Sequence, residues 1–140
     1  MFGKRGDGKP QFKTDSLIAM GTRIEGNIRF SGGLRIEGEV KGNVEAIGDS
    51  SSVLFLSEKA TIEGEVSVAH FIADGTVAGK VAVSETLELQ PNARILGDVE
   101  YALIEMHQGA VIEGRLVHRD KSDKGDKGDK AVELKLAASN

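Results

Sequence analysis

The sequence predicts an all-β chain wound as a single-stranded solenoid of about six triangular coils and flanked by disordered tails. Three observations carry this expectation: a glycine-centred phrase that recurs, apolar and polar residues that alternate within it, and turn-forming residues between the copies. The phrase is aliphatic, any residue, Gly, any residue, aliphatic. It reads Ile24-Glu25-Gly26-Asn27-Ile28, Val40-Lys41-Gly42-Asn43-Val44, Ile62-Glu63-Gly64-Glu65-Val66, Val77-Ala78-Gly79-Lys80-Val81, Ile95-Leu96-Gly97-Asp98-Val99 and Ile112-Glu113-Gly114-Arg115-Leu116. The glycines are separated by 16, 22, 15, 18 and 17 residues, a period too short for helix-pair repeats and suited to one coil of a β-solenoid.

Each copy then justifies a strand. Apolar residues at every second position mark one buried face, so Ile62 and Val66 point in while Glu63 and Glu65 point out. Gly64 shares the inward parity, which indicates a crowded interior or a bend with no room for a side chain. A coil of about 17 residues divides into three strands of five or six. Corners are expected at Gly32-Gly33, Asp74-Gly75, Gln90-Pro91-Asn92 and Gln108-Gly109. The 22-residue gap holds Ser50-Ser51-Ser52 and is read as a loop inserted between coils. At roughly 4.8 Å per coil, the rod is on the order of 25–30 Å long. A globular β-sandwich would not need glycine to return on the same phrase.

Composition removes other classes. Charged residues are 29% and hydrophobics 39%, and no apolar run approaches the roughly 18 residues of a membrane-spanning helix. The absence of cysteine excludes a disulfide framework and thiolate metal sites, and without a secretory leader the expected address is the cytoplasm. Charge divides the chain into three parts. Residues 1–15 are net +2 and 119–140 net +1, which leaves the rod, 16–118, at −7 of the overall −4.

The leader Met1-Phe2-Gly3-Lys4-Arg5 sets an apolar pair beside two cations. Met1 and Phe2 can enter the lipid boundary while Lys4 and Arg5 meet anionic headgroups, at about 1 kcal/mol per cation. A single copy binds weakly, and many copies on a polymer bind firmly. From Arg119 to Lys130 a Lys-Gly-Asp repeat offers nothing to bury and is expected to be disordered. The closing stretch, 131–138, is expected to form at most one or two helical turns against a partner.

Catalytic chemistry is poorly supplied. His70, His107 and His118 fall on different coils without metal-ligand spacing and read as surface or corner residues. Glu25, Glu63 and Glu113 occupy one outward slot interrupted by Ala78 and Leu96, with Arg23, Arg94 and Arg115 nearby, and read as a solvated face. No base is placed to activate the serines of the insertion. No enzyme activity, cofactor, metal or nucleic-acid partner is expected.

The series from Leu87-Glu88-Leu89-Gln90-Pro91-Asn92-Ala93-Arg94-Ile95-Leu96-Gly97-Asp98-Val99-Glu100-Tyr101 to Gly109-Ala110-Val111-Ile112-Glu113-Gly114 resembles the bactofilins, bacterial cytoskeletal proteins. Leu34-Arg35-Ile36-Glu37-Gly38-Glu39-Val40 and the opening Met1-Phe2-Gly3-Lys4 resemble them too. The resemblance implies a right-handed parallel β-helix over 16–118 that polymerises without nucleotide into filaments lacking polarity, by end-to-end stacking through like ends. It further implies a scaffold on the inner face of the cytoplasmic membrane that recruits cell-wall, envelope or cell-shape factors. The insertion at Gly48–Ser52 and the Lys-Gly-Asp tail depart from the family pattern and leave the recruited partner unspecified.

Self-association follows from the fold as well, since each end coil exposes unpaired backbone groups and an open core. Leu17, Ile18 and Ile24 at one end and Ile112 and Leu116 at the other are the candidate polymerisation residues. Two rivals remain. A hexapeptide-type acyltransferase or gamma-class carbonic anhydrase fits the six-residue step of Ile18, Ile24, Phe30 and Ile36, but the step fails at Gly42 and the histidines do not group. A monomeric adaptor rod is opposed by the open ends.

Overall fold

The computed structural model describes residues 14–48 and 51–119 and the backbone of 130–137. The strands of its six coils stack on three faces in parallel register. The first coil holds β1 (Ser16–Ile18), β2 (Arg23–Glu25) and β3 (Ile28–Phe30), and the second holds β4 (Gly33–Ile36), β5 (Glu39–Lys41) and β6 (Val44–Ala46). β7 (Val53–Leu56) and β8 (Thr61–Glu63) lead into β9 (Val66–Ala73), which turns a corner and begins the fourth coil. β10 (Thr76–Ala78) and β11 (Val81–Leu89) repeat that pattern into the fifth coil, with β12 (Arg94–Leu96) and β13 (Val99–Tyr101). The sixth coil is β14 (Leu103–Met106) and β15 (Val111–His118).

The core is a stack of aliphatic rows. Along the face that begins with β2, the row Val40, Ile62, Val77, Ile95 and Ile112 is wholly buried. The next face repeats this with Val44, Val66, Val81 and Val99. Period-2 alternation thus translates directly into burial, and the stacked rows explain how so few aromatics fill an interior.

The glycine phrase marks one corner, and that corner is uniform. Gly42, Gly64, Gly79, Gly97 and Gly114 all lie at φ between 153 and 159°, and a Cβ on any of them would run into the carbonyl of the glycine one coil before. The missing side chain of Gly64 therefore points along the rod at the neighbouring coil and not into the core. Beside the column, Asn27 Oδ1 accepts from the Asn43 amide, Asn43 Oδ1 from the Glu65 amide, and Asp98 Oδ1 from the Arg115 amide, at 2.9, 2.9 and 3.0 Å. Those side chains satisfy corner amides that ladder pairing leaves over.

The irregular spacing of the glycines has a geometric origin. Strands are three or four residues per face, shorter than the expected five or six, because the corners take more of each coil than a triangle of equal strands allows. One corner alternates between two residues, as at Glu37-Gly38 and Asp74-Gly75, and four-residue turns closed by bonds such as Ala60 N to Ser57 O and Ala93 N to Gln90 O. The other takes one residue at Ala69 or Ala102, two at Ser84-Glu85, and six where the insertion lies. Across that six-residue corner Ser52 is buried, and its Oγ accepts from the Ala69 amide at 3.1 Å.

Both chain ends differ from expectation in detail. The ladder starts at Asp15, whose amide bonds to Gly33 O and whose carboxylate accepts from the Gly33 amide at 2.9 Å. At the other end, β16 (Lys130–Ala137) is an antiparallel strand on β15, from Val111 opposite Ala137 to His118 opposite Lys130. That stretch had been expected to be part of a disordered tail or a short helix. A solenoid's last coil offers an unpaired edge, and an edge recruits an extended segment in preference to an isolated helical turn. Residues 1–13, with Met1, Phe2, Lys4 and Arg5, and the Lys-Gly-Asp stretch at 120–129 lie outside the described residues.

Candidate functional site

The features that distinguish one coil from another are the two ends of the rod. At the N-terminal end β1, β2 and β3 each pair with one neighbour, β4, β5 and β6, so their outer edges carry unpaired amides and carbonyls among the described residues. The core is open there. Ile18, Ile24 and Ile28 pack against it yet remain only half-buried, whereas their row-mates Ile36, Val40 and Val44 are fully covered. Leu17 is 54% and Met20 72% exposed. Leu17 shares its row with Arg35 and Phe55, so it stands on the outside of the first coil, not over the core.

The C-terminal end is different. Among the described residues β14 pairs only with β11, but β15 has β12 and β13 on one side and β16 on the other. Ile112 is fully buried and Leu116 half-buried. The five candidate polymerisation residues thus divide by environment: Ile18 and Ile24 at an open core, Leu17 on the outer surface, Ile112 and Leu116 in a coil whose edge is already paired.

The outward residues fall as the slots implied. Glu25, Lys41, Glu63, Ala78, Leu96 and Glu113 form one row along the rod, with Lys41 as a further interruption of the carboxylates. Arg23 lies 3.4 Å from Glu25 and 3.8 Å from Glu39, and Arg115 lies 3.7 Å from Asp98, all at exposed positions. Pairs this exposed contribute little to stability.

Of the histidines, His70 Nδ1 sits 2.7 Å from Thr86 Oγ1, and His118 bonds to the Ala102 carbonyl and leans on the Tyr101 ring. His107 is less solitary than its sequence position indicates. Its Nε2 lies 3.0 Å from Glu88 and 3.5 Å from Glu105, and Gln90 donates to the same Glu88 oxygen. The three ligand atoms lie within 4.8 Å of one another, so they could hold a cation. The only available signal for this was the 17-residue offset of Glu88 and Glu105, one coil, which sets them side by side. As it stands, the cluster is a half-exposed His–carboxylate pair whose Glu88 oxygen also accepts from Gln90. A groove of about 500 Å³ lies beside Ser52, lined by Ser67, Ala82, Glu85, Glu100 and Arg119 among others, and Ser52 Oγ accepts from the Ala69 amide there.

Comparison with known proteins decides the family: the bactofilin model, described as polymer-forming cytoskeletal, matches residues 16–117. The chain belongs to the bactofilin family. Two relatives from Myxococcus xanthus (strain DK1622), bactofilin BacO and bactofilin BacP, are each 24% identical over 102 residues; the match covers 73% of this chain and 78% and 41% of theirs. No solved structure matches the chain. It is a protein of a polymer-forming cytoskeletal family, and the match begins and ends with the coils. No helix among the described residues is long and apolar enough to cross a membrane.

Proposed function

We propose that the chain is a non-enzymatic cytoplasmic scaffold that assembles without nucleotide into filaments lacking polarity, by stacking of like ends of the rod. The supporting observation is the first coil: three strands with unpaired edges over a core that Ile18 and Ile24 leave half-covered. A second rod placed end to end satisfies both deficits at once. Contact of like ends gives a filament with no direction. Filaments then attach to the inner membrane surface through Met1, Phe2, Lys4 and Arg5, many weak anchors acting together over a rod whose own net charge opposes anionic lipid. Envelope or cell-shape factors are recruited to that platform.

Negative-stain microscopy of the purified chain without nucleotide tests the assembly. Unbranched filaments are expected, and they should be lost in Ile24→Arg with the β spectrum retained, since the new charge would sit unpaired in the joint. A chain that stays monomeric at all concentrations would overturn the reading in favour of an adaptor rod. Cosedimentation with anionic liposomes tests the anchor: removal of residues 1–5 should abolish it, and undiminished binding would move the membrane site elsewhere.

A further inference from the structure

The strand that covers the last coil repeats the residue pattern of the strand it covers. β15 runs Val111, Ile112, Glu113, Gly114, Arg115, Leu116, Val117, and the stretch twenty residues on runs Ala131, Val132, Glu133, Leu134, Lys135, Leu136, Ala137. Apolar, acidic and basic positions coincide throughout, and Leu134 in place of Gly114 is the one departure in kind. The antiparallel register makes this likeness meaningful, because it sets Lys135 opposite Glu113, Glu133 opposite Arg115, Leu136 opposite Ile112 and Val132 opposite Leu116.

A second copy of the rod would present the same pattern. Two triangular ends superpose when the two-fold axis is perpendicular to the rod and passes through a corner, and such an axis reverses the sense of each strand. With the axis at the Gly114 corner, Glu113 pairs with the partner's Arg115, Ile112 with the partner's Leu116, and Val111 with the partner's Val117. Each residue of 131–137 therefore stands where the β15 residue twenty positions earlier in a neighbouring copy would stand. Opposite charges and apolar pairs at directly opposed positions favour both arrangements alike.

We propose that residues 130–137 are an internal mimic of a second copy's β15, and that they cap the C-terminal end of the rod in competition with the tail-to-tail joint. This rests on the filament reading above. Ten residues, 120–129, separate the mimic from the coil it covers, so its effective concentration is high, and the edge of β15 is covered in an isolated chain while the N-terminal end is open. Growth beyond head-to-head pairs then requires the tail to be displaced, which raises the concentration at which the full chain forms filaments, and anything that binds the tail lowers it.

The test compares critical concentrations for filament formation, by sedimentation and negative stain, in the full chain and three variants. Deleting 130–140 should lower the critical concentration about tenfold, because the fraction of competent ends rises. E133K/K135E leaves every coil untouched but puts like charges at paired positions, and should match the deletion. Adding E113K/R115E to it restores opposite charges to the cap and should return the parental value; E113K/R115E in the coil remains self-complementary across a two-fold joint. Equal critical concentrations in the full and truncated chains would overturn the competition and leave the filament reading intact, as would loss of assembly on truncation, which would make the tail part of the joint. If neither the full nor the truncated chain assembles, the filament reading itself falls and takes the competition with it.

Discussion

Ile62-Glu63-Gly64 in the third coil and Ile24-Glu25-Gly26 in the first are alike in sequence and stand in the same ladder, with Val40-Lys41-Gly42 between them. Ile62 is fully buried, while Ile24 is only half so. A Cβ at Gly64 would overlap the Gly42 carbonyl, while one at Gly26 would meet nothing within 4 Å. One phrase therefore serves two purposes. Between two coils it holds the rod together, and at the end of the stack the same residues become an unmet demand for a neighbour.

The sharpest break of that comparison is at the glycines. Gly64→Ala meets both a backbone clash and a φ of +157°, and should cost more than about 3 kcal/mol in denaturant unfolding. Gly26→Ala, at φ +137° with open space beside it, carries only the conformational term, about 1–2 kcal/mol. Equal losses would mean that the coil beneath Gly64 does not constrain it. Truncating the aliphatic residues gives the next largest contrast: Ile62→Ala should lose about 3–4 kcal/mol and Ile24→Ala about 1 kcal/mol, in proportion to what each buries. Both values refer to dilute protein, where no end joint contributes.

Smaller effects probe the corners and the surface. Ser52→Ala leaves the Ala69 amide without its side-chain acceptor and should cost about 1–2 kcal/mol, with faster hydrogen exchange at that one amide. No change there would show that Ala69 finds water instead. Least of all, Arg23→Ala removes two long, exposed ion pairs at the first coil and should shift unfolding by less than about 0.5 kcal/mol. A loss several times larger would indicate that the outer surface of the end coil is organised in a way the inner coils are not.

The glycine phrase was legible because two independent constraints converge on it. Alternation places Ile62 and Val66 on the core, and the absent Cβ of Gly64 lets successive coils approach, so both leave a mark in the order of residues. Leu17, Ile18 and Ile24 were named together as apolar residues of the first coil, and it is parity along β1 that separates them, setting Leu17 in the outward row with Arg35 and Phe55. Nothing local marks the His107, Glu88 and Glu105 grouping, since its members meet only through the rise of one coil.

By itself the sequence determined the all-β solenoid and its six coils, because stacking requires identical burial every coil and that requirement repeats in the chain. Tertiary structure decided the lengths of the corners, which vary from one to six residues at no cost to the strands they join. It also decided the fate of 130–137. A short segment rich in Leu, Lys and Ala has no fixed conformation of its own; the free edge of β15 supplies the hydrogen-bonding partners that make it a strand, and an edge exists only once the coils are stacked.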